Sequence, residues 1–532
     1  MPSHFVKAAD RADLGEKGRT VARIDGKQIV LFQVNGAVFA CNNRCPHEGY
    51  PLREGSLDGC TLTCNWHNWK FDLETGANLL GGDRVRTYPV ELRGDEIWID
   101  VADPPPAARQ AEVLGNIRAA LDEDEENANR AYSRLARELA RYRLADGDPV
   151  DAIAAAFEAT YDRFEFGWTH AMAGAADWLA LYDERADDPE SQLICLAEAL
   201  GHLAFDVIRQ PHFPYSQGES PYDEDALVDA VDREDEETAV ALVRGGLAAG
   251  LGFADFERGL TRAALLHYND FGHSLIYVMK TGALIDRFGP GSMETMLLPL
   301  VRSLIFASRE DQIPEFRFYA TALQDWGKDG NGEAPQIADF RGLNIKAALK
   351  QTAKLGGAPG GALHRALIGA NAANMLTFDA AHEQRTDVAI ADNVGWLDFT
   401  HAITFGNAVR AQCSKFPELW PAGLLQMACF AGRNAPYTKT AADNQPWSVT
   451  DRQAFYADSI DRILDHGCGE YIVSVHLLKT FMAARAEAEA DPDDEAAPLL
   501  LASVNRFLNA PLKRRHGRRT ARQAIDFVAL DG

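Results

Sequence analysis

The sequence predicts a multidomain protein in which a small all-β domain precedes a large, mainly α-helical one. Three observations carry this reading: short strand-like stretches with frequent turn signals over residues 1–101, a proline run at 104–106, and Ala/Leu-rich segments with apolar residues three or four apart beyond it. A chain of 532 residues also exceeds what one hydrophobic core supports, since domains average ~150 residues.

Within a first domain of 1–103, strands are expected at 20–24, 28–34, 38–40, 86–92 and 96–101, separated by Asp25-Gly26, Asn35-Gly36, Gly76 and Gly94-Asp95. Consecutive prolines make neither helix nor ladder hydrogen bonds, so 104–110 reads as a linker. From 111 to 532 the period is helical, with helices expected at 111–143, 150–161, 170–181, 192–208, 256–267, 273–288, 362–376, 401–413 and 470–486. Loops are expected at 211–222, 327–335, 356–361 and 488–497.

Composition narrows the function classes. The chain is 46% hydrophobic and 25% charged, with no apolar run long enough to cross a bilayer and no N-terminal apolar core of the kind a secretory signal needs. A cytoplasmic protein without a membrane segment is expected. The formal net charge of −25 argues against nucleic acid, whose phosphates are bound by Lys and Arg. The basic run Lys513-Arg514-Arg515-His516-Gly517-Arg518-Arg519 stands out in this acidic chain and reads as a solvated end.

Four of the eight cysteines fall within 41–64, a concentration that suits metal ligation better than a disulfide framework. Cys195, Cys413, Cys429 and Cys468 are scattered and read as core thiols. Two boxes, Cys45-Pro46-His47-Glu48-Gly49 and Cys64-Asn65-Trp66-His67-Asn68-Trp69, each offer one thiolate and one imidazole within a few residues. Two Cys and two His are what a mixed-ligand [2Fe-2S] centre requires. The same residues could hold a structural zinc, and Cys41, Cys45, Cys60 and Cys64 could bind a cluster without histidine. Gly49 gives its loop backbone freedom, Pro46 stiffens it, and Trp66 and Trp69 can exclude water.

The C-x-H box, sixteen intervening residues and the C-x-x-H box resemble the Rieske ferredoxin family across residues 5–101. The resemblance implies that Cys45 and Cys64 bind one iron of a [2Fe-2S] cluster, and His47 and His67 the exposed iron facing an electron partner. It also implies that Tyr50 and Trp66 occupy the places where respiratory members carry a disulfide, and a potential toward the low end, ~−150 mV.

The helical part offers weaker signals. His267 and His273 are separated by five residues rather than the four of Rieske non-haem iron oxygenases, and i and i+6 fall on different helix faces. Asp270 and His273, Asp398 and His401, and Asp379 and His382 are each three apart, a spacing that serves either paired metal ligands on facing helices or an Asp N-cap. His170, His202, His364 and His476 sit singly in apolar stretches, where a hydrogen-bonded core histidine is the default reading.

The stretches 266–277, 363–372 and 398–404, with His170-Ala171-Met172-Ala173, resemble the His-led helices of questin oxidase-like proteins over about 150–490. That family is α-helical and includes oxidative ring-opening enzymes of aromatic polyketide pathways. The resemblance implies a site lined by His273, His364 and His401, with Asp398 orienting His401, for acid/base work or iron ligation. No G-x-G-x-x-G follows a strand, so electrons are expected from a separate reductase or ferredoxin partner. The expectation is an oxidoreductase in which a [2Fe-2S] cluster relays single electrons to or from a helical domain acting on a small organic substrate, with O2 and a second iron site open. The alternatives are a non-catalytic carrier whose helices form a docking scaffold, and a divergent Rieske oxygenase.

Overall fold

The computed structural model describes residues 3–80, 82–122, 128–328, 333–389, 393–439, 444–511 and 517–530. Residues 513–516 of the basic run lie outside these. The chain divides into two compact units, Met1–Ala152 and Ile153–Gly532.

The first unit carries strands β1 (Phe5–Asp10), β2 (Arg19–Ile24), β3 (Lys27–Val34), β4 (Ala37–Asn42), β5 (Ser56–Asp58), β6 (Thr61–Thr63), β7 (Lys70–Asp72), β8 (Thr87–Tyr88), β9 (Val90–Arg93) and β10 (Glu96–Asp100). They form antiparallel sheets ordered β1-β10-β9, β2-β3-β4-β8 and β5-β6-β7. Asp25-Gly26 and Asn35-Gly36 close two-residue hairpins, with Ile24 opposite Lys27 and Val34 opposite Ala37.

Strand β3 organises this unit because both of its faces are buried. Ile29 and Leu31 join Ala40, Tyr88, Ile97 and Ile99 in one core. Val30 and Phe32 join Cys41, Cys45, Leu52, Leu62, Cys64 and Phe71 in the other. That is why 29–32 reads as a continuous apolar run instead of an alternation. The expected 86–92 strand is two strands, because Pro89 has no N–H for a ladder. β1 and the three-residue strands β5 to β7 were not expected, and strands that short have no period to read.

Pro106 is the first residue of the helix Pro106–Asp122, where a missing N–H costs nothing. The expected 104–110 linker therefore shortens. The expected 111–143 helix is two, Pro106–Asp122 and Ala128–Leu144, with 123–127 outside the described residues. Both group with the β sheets, so the unit boundary falls at Ala152 instead of 103. Ion pairs hold them there: Asp83 lies 3.0 Å from Arg134, and Arg84 lies 3.5 Å from Glu112.

The second unit is helical. The helices His170–Glu184, His273–Phe288, Trp396–Lys415 and Tyr471–Ala490 pack pairwise in a closed ring, each against two of the others. Thr169 caps the first of them, its hydroxyl accepting from the Ala171 N–H. Helices Met293–Ile305, with Pro299 inside it, and Trp420–Asn434, with Pro421 in its first turn, are among several that lie outside the expected segments. Among the described residues no helix is long and apolar enough to cross a membrane.

Leu62 is fully buried in the same core of the first unit as the two box cysteines. Leu62→Ala is expected to cost about 2–5 kcal/mol, read as a lower denaturation midpoint by tryptophan fluorescence. An unchanged midpoint would mean that this core is not the support of the boxes.

Candidate metal centres

The two boxes fold as twin loops. In the first, the Cys45 N–H donates to the Tyr50 carbonyl at 2.9 Å and the Gly49 N–H to the Cys45 carbonyl at 2.8 Å; in the second, Cys64 N–H donates to Trp69 at 2.7 Å and Asn68 N–H to Cys64 at 2.9 Å. The fifth residue of each loop takes a left-handed conformation, Gly49 at φ +78° and Asn68 at φ +64°. Glycine and asparagine are the residues that adopt it at least cost. Asn65 anchors the second loop by accepting from the Ser56 hydroxyl at 2.7 Å and donating to the Glu54 carbonyl at 2.9 Å.

These loops bring four donor atoms together. Cys45 and Cys64 are 3% and 1% exposed, and His47 and His67 lie outward with their Nδ1 atoms 3.1 Å apart. Burial, with Cys64 beside it, pushes the Cys45 thiol up to about 12. That thiol stays protonated until a metal ion displaces the proton. Trp69 stacks on His47 with ring centroids 4.5 Å apart, and Trp66 on His67 at 4.8 Å. Trp69 is half-buried whereas Trp66 is 55% exposed, so only the His47 side is shielded from water. The Tyr50 and Trp66 rings face each other at 5.8 Å.

Cys60 stands apart, four residues before Cys64 along β6, which is ~13 Å at the rise of a strand. Its Sγ faces Glu74 at 3.9 Å. Cys41 is fully buried and its thiol is pushed up to about 12 by burial. A cluster held by Cys41, Cys45, Cys60 and Cys64 is therefore excluded by geometry.

A second group of donors lies in the four-helix ring. His170, His401 and His476 place ligand atoms within 4.8 Å of one another. His273 closes the group, its Nε2 3.1 Å from that of His170, while the His401 and His476 Nε2 atoms are 3.2 Å apart. Nδ1 of His401 donates to the Leu397 carbonyl at 2.7 Å, and Nδ1 of His476 to the Ile472 carbonyl at 2.6 Å. A carbonyl can only accept, so both rings carry their proton on Nδ1 and turn the Nε2 lone pair inward. Burial, then the nearby Lys479 cation, holds His170, His401 and His476 well below the usual imidazole range. They are neutral, as a ligand must be. Lys479, one turn beyond His476, is itself pushed down to about 7 by burial.

His273 enters through an unusual turn. Asp270, Phe271 and Gly272 have φ of +43°, +50° and +80°. A Cβ at Gly272 would lie 2.4 Å from the Phe405 ring, so only glycine fits. The turn is held by the Asp270 N–H donating to the Ser308 carbonyl and the Glu310 N–H to Tyr268. The Arg433 guanidinium lies 4.6 Å from the centre of the Phe271 ring.

The expected residues divide accordingly. His273 and His401 are in the group. His364 is not: it is fully buried, with Nε2 donating to the Gly406 carbonyl at 2.8 Å. Asp398 does not orient His401, whose Nδ1 is taken by Leu397. Its carboxylate accepts from the Gly395 N–H at 2.8 Å and pairs with Arg433 at 2.5 Å. It acts as a helix cap that also fixes the arginine over Phe271. Asp379 pairs with Lys439. Asp270 does meet its histidine, 3.3 Å from Nδ1 of His273. Burial opposes its ionisation, yet His273 holds it below the usual carboxylate range. His267 is clamped by Asp232 and Asp311 at 3.0 and 2.9 Å, so it does not serve with His273 as an oxygenase pair.

The sequence reading underrated His170 and His476 and missed Lys479 and Asp206. The signal was His476 and Lys479, three apart and the only ionisable residues in the run 472–484. Asp206 accepts from the Thr169 hydroxyl at 2.5 Å, one residue before His170, and burial raises its carboxyl to about 6.

Residues 4–89 match the family model for the Rieske [2Fe-2S] domain. Over 104 residues the chain is 32% identical to the ferredoxin component of the naphthalene 1,2-dioxygenase system of Pseudomonas aeruginosa, covering 19% of this chain and 100% of that protein. Over 102 residues it is 37% identical to 4beta-methylsterol monooxygenase of Methylococcus capsulatus, covering 16% of this chain and 28% of that protein. The chain thus spans under a third of the monooxygenase and the whole of the ferredoxin. The ferredoxin of carbazole 1,9a-dioxygenase from Nocardioides aromaticivorans IC177 is 28% identical, covers 18% of this chain and 98% of that chain, and has a TM-score of 0.18. The zinc reading of the boxes gives way to a [2Fe-2S] cluster.

Asp206 supplies a pH test. A carboxyl raised from ~3.9 unfolded to about 6 folded contributes stability that is complete below pH ~4 and lost as pH rises through 6, about 3 kcal/mol in all. Asp206→Asn does not titrate. Its melting temperature relative to the parent is expected to rise between pH 5 and 7.5; a constant difference would mean the carboxyl is not buried as described.

Proposed function

Through residues 4–89 this chain belongs to the Rieske [2Fe-2S] domain family, and from that premise we propose that it is an oxidoreductase whose helical unit acts on a small organic substrate. Cys45, His47, Cys64 and His67 hold the cluster. The observation behind this assignment is the convergence of two buried thiols and two outward imidazoles on twin loops. When bound, a cluster of this ligation supplies reversible one-electron transfer.

The chain's own residues do the rest. The half-buried Trp69 covers His47, while His67 remains accessible at the edge. We assign that edge to a separate reductase or ferredoxin partner, in the cytoplasm.

In the helical unit, His170, His273, His401 and His476 form the site for a second metal ion, and iron suits an imidazole donor set. Such an ion would supply redox or Lewis-acid chemistry. The carbonyls of Leu397 and Ile472 fix the rings of His401 and His476, and Asp270 holds His273. Asp206 keeps a proton beside Thr169 at the His170 end. Support for an oxidase-like role comes from two of the His-led stretches that resemble questin oxidase-like proteins, since His273 and His401 converge. His364, from the third, does not join them.

The carrier reading is favoured by one observation: relatives covered in full are ferredoxin components. Iron analysis of the purified chain separates the two. More than the two irons of one cluster are expected, and His401→Ala with His476→Ala should remove the excess while the EPR signal of the reduced cluster persists. Two irons per chain before and after substitution, with no oxygen uptake in the presence of a reductase and polycyclic phenols, would establish the carrier.

A further inference from the structure

The helical hairpin that follows the β sheets has no assigned role. Its two helices, Pro106–Asp122 and Ala128–Leu144, are cross-bonded: Gln110 donates to the Ala145 carbonyl at 2.9 Å and Asn116 to Glu138 at 3.2 Å. The second helix presents three guanidinium groups to one carboxylate. Asp83, 3% exposed, lies 3.0 Å from Arg134, 3.2 Å from Arg137 and 3.8 Å from Arg141. Arg134 is 4% exposed, and Glu138, fully buried, pairs with Arg141. A buried carboxylate in such a setting tolerates little movement, since any displacement leaves a charge unpaired.

Asp83 stands in the segment 82–86, which begins beside the first metal centre. Its neighbour Gly82 packs so closely on Trp69 that a Cβ there would lie 3.3 Å from the indole. Trp69 in turn stacks on His47, nearly parallel at 15°. A continuous line of contacts therefore runs from the arginines through Asp83 and Gly82 to the Trp69 indole and the His47 ring. Arg84 strengthens the segment, donating to the Thr75 carbonyl at 2.5 Å and pairing with Glu112 of the first hairpin helix.

We propose that the hairpin is a built-in brace of the redox centre, and that Asp83 is the positioning residue through which it sets the Trp69–His47 face. Groups behind a metal ligand orient it and tune its electronics. The electron-carrying module of this chain is then the whole first unit, sheets and hairpin together.

The test uses the full chain with its cluster loaded. Asp83→Asn keeps the shape and removes the charge, and Arg134→Met removes its closest partner. Both are expected to shift the g values or broaden the EPR line of the reduced cluster, to move its midpoint potential, and to speed cluster loss under a chelator by up to about tenfold. Trp69→Phe should reproduce the spectral change, and Arg118→Met, an exposed residue of the same hairpin, should not. If Asp83→Asn does not accumulate, Arg137→Met, half-exposed and still paired to Asp83, gives a smaller shift of the same kind. Parent line shape, potential and cluster lifetime in the folded Asp83 or Arg137 variants would overturn the brace, as would an equal change in Arg118→Met.

Discussion

A side-chain donor can hold a metal only when its lone pair is free and aimed, and in a low-dielectric interior that demands that its remaining polar atom be satisfied by the protein itself. The His401 and His476 rings of the four-histidine group meet that demand. In the helical unit the carbonyls four residues back, Leu397 and Ile472, take the Nδ1 protons of His401 and His476. In the first unit the Cys45, Gly49, Cys64 and Asn68 N–H groups are spent within the twin turns, and the His47 and Glu48 N–H groups turn to the Cys45 sulfur.

The same demand explains where the structure departs from low-energy local choices. His273 reaches the group only through three successive left-handed residues, two of them not glycine. Such backbone costs of order 1–3 kcal/mol per residue and persists because its surroundings hold it. Here they are the pairing of 268–270 with 308–310 and the Asp398-anchored Arg433 over Phe271. Likewise Asp83 would be an expensive buried charge without its three arginines. One buried or half-buried acid–base network thus stands beside each group of donors.

Legibility in the sequence followed the range of the interactions involved. The boxes were readable because all four donors lie in two short segments and the turn residues Gly49 and Asn68 sit beside them. The hairpin turns and about half of the helices were readable from local dipeptides and period. Strands β5 to β7 were not, since three residues cannot show a period, and neither was the helix Met293–Ile305, which holds Pro299 inside it.

The four-histidine group shows the other limit. The three-residue spacing and the resemblance to questin oxidase-like proteins pointed to Asp398 as the partner of His401, and the resemblance alone to His364 as a neighbour. The backbone carbonyl within reach of His401 was the stronger partner, and Asp398 was drawn instead to a helix end and an arginine. By itself the sequence determined the two-part architecture and the Rieske [2Fe-2S] domain that carries the Cys45/His47 and Cys64/His67 boxes, since these rest on short-range chemistry. Only the tertiary structure decided that His170, His273, His401 and His476 meet, and that the hairpin belongs with the sheets. Those outcomes depend on which helix faces pack together across more than a hundred residues of chain, and apolar faces of similar composition do not encode their partners locally.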